Sequence, residues 1–195
     1  MNDTEILAEF EAARAILKGH FVLSSGLHSD TYLQCARVLM DTQRADKLCA
    51  ALADKVRAAN LGNIDVVVAP AMGGVIVGYE LARQLGVPSI FCERENGEFT
   101  LRRGFDLTNG ARVLMVEDVV TTGKSSVEAM ECVKAHGGTV VGEASLVNRS
   151  GKENPLPVPY VPLIAVDVQT YAPDALPDHL QGTQAIKPGS RFLKA

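Results

Sequence analysis

Four apolar runs, at 64–69, 89–92, 113–116 and 139–147, set the tightest limit on what this chain folds into. They lack the strict alternation of a strand with one wet face, so they read as strands buried on both sides. Helical patterns lie between them at 75–85 and 125–136. The first stops at Gly86 with Pro88 beyond, and the second stops at Gly137-Gly138. A parallel strand pair needs a long crossover, and a helix is the usual one, so this alternation demands a sheet covered by helices. The expected fold class is α/β, with a central parallel, doubly wound sheet.

The flanking regions are read in the same way. Ile6, Leu7, Phe10, Ala13, Ile16 and Leu17 recur at helical spacing behind Asn2 and Asp3, which predicts a helix over 3–17. A second helix is expected over 41–60, with Leu48, Ala51, Leu52 and Val56 on one face. Four prolines interrupt 154–162, and Pro173, Pro177 and Pro188 follow, so the tail is expected to be irregular, with a few short strands or turns packed over the core. No stretch reads as a linker, and a single domain over 1–195 is expected.

Charge and cysteine usage exclude several classes. The net charge is −4 with no block of Lys and Arg, so the electrostatic footprint of a nucleic-acid binder is missing. The longest uncharged stretch, 66–79, holds Pro70 and three glycines and falls short of the roughly 18 residues a membrane span needs. The opening MNDTE carries acids where a signal peptide carries positive charge. Cys35, Cys49, Cys92 and Cys132 lie far apart without a CxxC pair, and are expected to be reduced, buried thiols of a cytoplasmic protein.

The chemistry concentrates in VLMVEDVVTTGKSS, residues 113–126. A triphosphate-binding P-loop needs a glycine five residues before Gly123, and Asp118 stands there. Carboxylates at that place would repel a triphosphate. The segment reads instead as a strand, two acids, and a Thr/Gly/Ser-rich entry to a helix. Unpaired amides and the positive end of the dipole make a helix N-terminus a phosphate site. Glu117 and Asp118 suit the vicinal hydroxyls of a ribose, and Asp118 lies too far upstream to cap the following helix. A ribose carrying a 5-phosphate fits the spacing.

The same stretch resembles the phosphoribosyl-pyrophosphate (PRPP) motif of type I phosphoribosyltransferases. FVLSSGLHSDTY (21–32), VVVAPAMGGV (66–75), CERENGEFTLRRGF (92–105) and SLVNRSG (145–151) resemble the orotate branch of that family. The resemblance implies the type I fold: a core over about 40–150 beneath a small hood from about 18–36 plus part of the tail. It implies that Glu117 and Asp118 hold the ribose hydroxyls. Val119 and Val120 continue the motif, and Thr121, Thr122, Gly123, Lys124 and Ser125 hold the 5-phosphate. Ala71, Met72 and Gly73 correspond to the pyrophosphate loop, where the family often carries an unusual cis peptide. Orotate is implied to meet Thr121, Arg149, Ser25 and Gly26, with Phe21, His28 and Tyr32 as further hood residues. Arg149 suits the substrate's carboxylate because a guanidinium pairs with that planar anion through two parallel bonds. Mg²⁺ is implied as a cofactor carried by PRPP, with no residue fixed as its ligand, and a homodimer is implied.

The chain departs from the family at its cations. Residues 93–112 contain neither lysine nor histidine, so Arg94, Arg102 and Arg103 are expected to supply charge to the leaving group. Ser24 stands near the place of a typical hood lysine, and Gly73 stands where a lysine is common. Two other readings share the ribose motif: a phosphoribosyltransferase for a purine or another base, and a PRPP-sensing regulator without the reaction. Arg149 argues against a purine, which has no carboxylate. The short, non-basic stretch before residue 20 argues against a regulator with its own DNA-binding segment.

Overall fold

The computed structural model describes residues 1–23 and 26–187. In chain order they form α1 (Asp3–Ala12), β1 (Ile16–Val22), β2 (His28–Leu33), α2 (Cys35–Leu39), α3 (Thr42–Ala58), β3 (Val66–Pro70), α4 (Gly73–Leu85), β4 (Ser89–Glu95), β5 (Glu98–Leu101), β6 (Arg112–Val120), α5 (Lys124–Ala135), β7 (Thr139–Asn148) and β8 (Tyr160–Ala165).

The central sheet has the order β5-β4-β3-β6-β7-β8. All neighbours run parallel except β5, an antiparallel edge strand. Alternate residues of the middle strands enter opposite layers. Val67, Ala69, Leu114 and Val116 pack with Val77 and Leu81 of α4 and Leu48 and Leu52 of α3. Val66, Val68, Val113 and Met115 pack with Ala129, Met130 and Val133 of α5. Both faces are covered by helices, which is why these runs are apolar throughout. Two strands built on this principle diverge from β3 and β6, toward β4 on one side and β7 on the other. Ligands of open α/β sheets bind at the carboxyl ends of strands where the order reverses in this way.

A two-stranded ribbon lies outside this sheet, with Ile16 opposite Leu33 and Leu17 opposite Tyr32. Segments of the tail add to both of its edges. Tyr171 and His28 exchange backbone hydrogen bonds at 2.8 Å, while the Val22 N–H donates to Ile186 O and the Ile186 N–H to His20 O, each at 2.8 Å. His20 joins these pieces through side chains: its Nε2 lies 2.6 Å from His28 Nδ1 and its Nδ1 lies 2.8 Å from Thr183 Oγ1.

Several expected boundaries move. The first helix ends at Ala12, not at residue 17, because Arg14 takes a left-handed φ of 51° and turns the chain. Ile16 and Leu17 then enter β1, since an apolar pair placed there satisfies either period. Strand β6 continues through Glu117 and Asp118 to Val120, so the acids lie within the strand rather than beyond it. The tail supplies a strand of the sheet, β8, which carries Pro162. An edge position tolerates that proline because one side of the strand has no ladder to donate to. Finally, Asn96 and Gly97, with φ of 52° and 93°, make a two-residue hairpin turn between β4 and β5, inside the CERENGEFTLRRGF stretch.

Candidate active site

At the carboxyl ends of β6 and β7 a cavity of about 730 Å³ opens toward the ribbon, and Ala71, Met72 and Gly73 after β3 do not line it. Glu117, Asp118, Val119, Val120, Thr121, Thr122, Gly123, Lys124 and Ser125 line it consecutively. Arg149 lines the same cavity, as do Tyr32 and Leu27 from the ribbon side and Thr170 and Lys187 from the tail.

The two acids sit on its floor, partly exposed. Burial, the neighbouring Asp118 and the Glu143 carboxylate, in that order, raise the Glu117 carboxyl well above its usual range. Asp118 is raised by burial, an effect opposed by the Val119 N–H, which donates to Asp118 Oδ1 at 2.8 Å. Charged groups held at such cost in an apolar setting suit a ligand that donates to them.

The cradle beyond the acids follows from local sequence. Gly123 caps α5 with a φ of 75°, and a Cβ there would stand 2.6 Å from Leu156 Cδ2. Only glycine takes this turn without strain. Gly123 has no side chain to satisfy the first amides of α5, and the first turn of α5 contains no acid. An anion therefore meets open N–H groups and the positive helix end. The Lys124 side chain points outward, 81% exposed and 3.9 Å from Glu128.

Strand β3 leads into the second cradle. The peptide between Ala71 and Met72 is cis. Gly73 then opens α4 directly behind Asp118: a Cβ on it would stand 2.9 Å from Asp118 Oδ1 and 3.0 Å from Oδ2. A Cβ on Gly74 would stand 3.0 Å from Val116 O. The absence of side chains at 73 and 74 lets α4 close on the end of β6.

Arg149 extends β7, its N–H bonded to Val120 O at 2.8 Å. Burial lowers the pKa of its guanidinium, while Tyr32 and Cys35 nearby act the other way. It is the half-buried cation of the cavity and shares that lining with Tyr32 of the ribbon.

The expected loop arginines lie elsewhere. Arg94 is ion-paired with Glu128 and lies over the Phe99 ring, 4.0 Å from its centroid. Arg103 pairs with Glu93 at 3.1 Å, and Arg102 stands 3.6 Å from Glu95. None of the three lines the cavity of its own chain. Of the other expected residues, Ser24 and Ser25 lie outside the described residues. Gly26 sits in the turn between β1 and β2 with a φ of 84°, and His28 is engaged with His20. Thr170 and Lys187 carried no local signal, because only the ribbon's edges bring the tail to the cavity.

The sequence pattern of the phosphoribosyl transferase domain matches residues 38–170. An orotate phosphoribosyltransferase of Sphingopyxis alaskensis is 62% identical over 196 residues, covering 100% of both chains. One of Maricaulis maris is 54% identical over 194 residues, covering 99% of this chain and 100% of that one. Among solved structures, the orotate phosphoribosyltransferase of Aeropyrum pernix superposes with a TM-score of 0.70 at 26% identity, covering 83% of this chain and 93% of that one. An adenine phosphoribosyltransferase, at a TM-score of 0.64 and 18% identity over 80% of this chain and 99% of that one, shares the fold.

Proposed function

The chain belongs to the orotate phosphoribosyltransferases, and on that premise we propose how its own residues divide the work. The reaction transfers the phosphoribosyl group of PRPP to orotate, giving orotidine 5′-monophosphate and pyrophosphate in pyrimidine biosynthesis. Glu117 and Asp118 accept hydrogen bonds from the ribose hydroxyls. Thr121 to Ser125 and the first amides of α5 hold the 5-phosphate, and Ala71 to Gly73 meet the pyrophosphate. Arg149 pairs with the orotate carboxylate, with Thr121 and Gly26 around the base. The observation that carries this reading is the single cavity shared by Glu117, Asp118, the α5 N-terminus and Arg149.

With these contacts the ring nitrogen of orotate is brought to the ribose C1 as pyrophosphate departs, and the protein acts by positioning and by fixed charge. The acids beneath the ribose favour the positive charge that develops on its ring. The ribbon and tail act as a hood that excludes water. Mg²⁺ carried by PRPP would supply charge that neutralises the departing pyrophosphate. Among the described residues no group of three or more His, Cys, Asp and Glu could hold a metal.

A homodimer is part of the proposal, and two features support it. Met72, Ile76 and Tyr79 line one face of α4, 83%, 51% and 68% exposed, an apolar stripe suited to a second copy. Arg94, Arg102 and Arg103, on the β4–β5 hairpin and the segment after it, lie away from their own cavity, and exchanging their pairs with Glu128, Glu95 and Glu93 would let them act at the neighbour's. The cytoplasm is the proposed compartment: all four cysteines are unpaired and buried, as a reducing environment permits. No helix among the described residues is long and apolar enough to cross a membrane.

The test is orotate consumption followed by ultraviolet absorbance, with PRPP and Mg²⁺ present or omitted. Loss of orotate is expected only with both. Turnover of a purine in place of orotate would overturn the assignment of Arg149.

A further inference from the structure

We propose that Lys187 is a substrate-contacting residue of this site, its ammonium meeting anionic oxygens at the hood end of the cavity. The proposal rests on the reaction given above. PRPP and orotate bring several negative charges into a cavity whose floor already holds Glu117 and Asp118. Cations must therefore enter from the walls. Among the described residues that line it, the cations are Lys124, Arg149 and Lys187. Lys124 stands on the phosphate-loop side and leans toward Glu128. Arg149 rises from the end of β7. Lys187 alone approaches from the hood, opposite the acids' strand.

Its position is built rather than incidental. The residue before it, Ile186, is bonded to β1 on both sides, accepting from the Val22 N–H and donating to His20 O, each at 2.8 Å. That pairing fixes the register of the tail against β1, so Lys187 lies beside Val22 and Leu23, which line the same cavity. Thr183, three residues upstream of Ile186, is tied to His20 as well. A compact ammonium on a four-carbon stem held at this rim can follow an anion as it enters. The anion is a carboxylate or a phosphate oxygen, and kinetics separate the two.

The experiment compares Lys187→Met and Lys187→Arg with the wild type, measuring kcat and the KM for orotate and for PRPP, together with melting temperature. Lys187→Met is expected to raise one KM by about ten- to a hundredfold, the range of one charge-assisted hydrogen bond, with an unchanged melting temperature. Lys187→Arg restores most of the loss. A rise confined to orotate assigns the carboxylate, and a rise confined to PRPP assigns a phosphate oxygen. Both KM values and kcat within twofold of wild type would overturn the proposal. If the wild type itself did not consume orotate, the reaction would be wrong. Calorimetric titration of PRPP and of orotate into wild type and Lys187→Met then decides on Lys187 separately, equal affinities for both ligands overturning it.

Discussion

Ser126 donates its hydroxyl to Glu143 Oε1 at 2.6 Å, joining α5 to β7 directly beneath the phosphate cradle. Glu143 is fully buried, and its Oε2 has no partner among the described residues. The pair ties the helix that holds the cradle to the strand that ends at Arg149. It also places a third carboxyl close to Glu117.

Burial pushes the Glu143 pKa up to about 7, with the Ser126 hydrogen bond pulling against it. The ordinary value is 4.5, so between the two values the folded protein binds the extra proton. Stability must therefore fall as pH rises through this window, and the full penalty is present above it. Glu143→Gln keeps the bond to Ser126 and removes the titration. From pH 5 to pH 8 the wild type should lose about 3 kcal/mol more than the variant. Denaturant midpoints across pH measure this, and parallel profiles would refute it.

Gly73→Ala tests the closure of α4 on β6. The new Cβ would stand 2.9 Å from Asp118 Oδ1, so the carboxylate must turn away from the ribose position. The KM for PRPP should rise about tenfold or more while the KM for orotate changes little. Equal effects on both substrates would mean a general disturbance instead.

Gly123→Ala acts on the other cradle through two causes, a left-handed φ of 75° and the 2.6 Å approach to Leu156. It should destabilise the fold by about 1–3 kcal/mol and weaken PRPP binding. Thermal unfolding with and without PRPP checks both effects.

The division between subunits is testable by mixing. Arg103→Ala removes a charge proposed to act on the neighbour, and Asp118→Asn disables a chain's own ribose site. Each variant alone should be nearly inactive. Refolding them together should restore about a quarter of wild-type activity, because half of random pairs are mixed and each mixed pair holds one intact site. No restoration would place Arg103 at its own chain's cavity, and an active Arg103→Ala variant would place it outside catalysis.

Chelation separates the metal from the fold. With no protein cage among the described residues, EDTA should abolish turnover yet leave the melting temperature of the free protein unchanged. A lower melting temperature would reveal a resident metal.

Much of the molecule is written in local pattern. The buried strands β3 and β6 and the helices α3, α4 and α5 are legible because each carries its period within about a dozen residues. The two acids and the helix entry behind them are contiguous, so local order alone brings them to one cavity. Ribose and phosphate recognition needs only a strand, a turn and a helix in succession, and those elements are local. The hairpin turn was also written locally, in Asn96-Gly97.

What the tertiary structure decided is everything that depends on distant segments meeting. Ile16 and Leu17 fit a helix as well as a strand, and pairing with Leu33 and Tyr32 settled them in β1. Gly73 is an ordinary turn glycine until Asp118, 45 positions later, is packed against it. Arg94, Arg102 and Arg103 look like free cations until Glu128, Glu95 and Glu93 are placed beside them. The tail shows only prolines, yet its backbone bonds to the ribbon carry Thr170 and Lys187 to the cavity. Periodicity reports the burial of a face, but not which segment covers it. That partner is chosen by the packing of the whole chain.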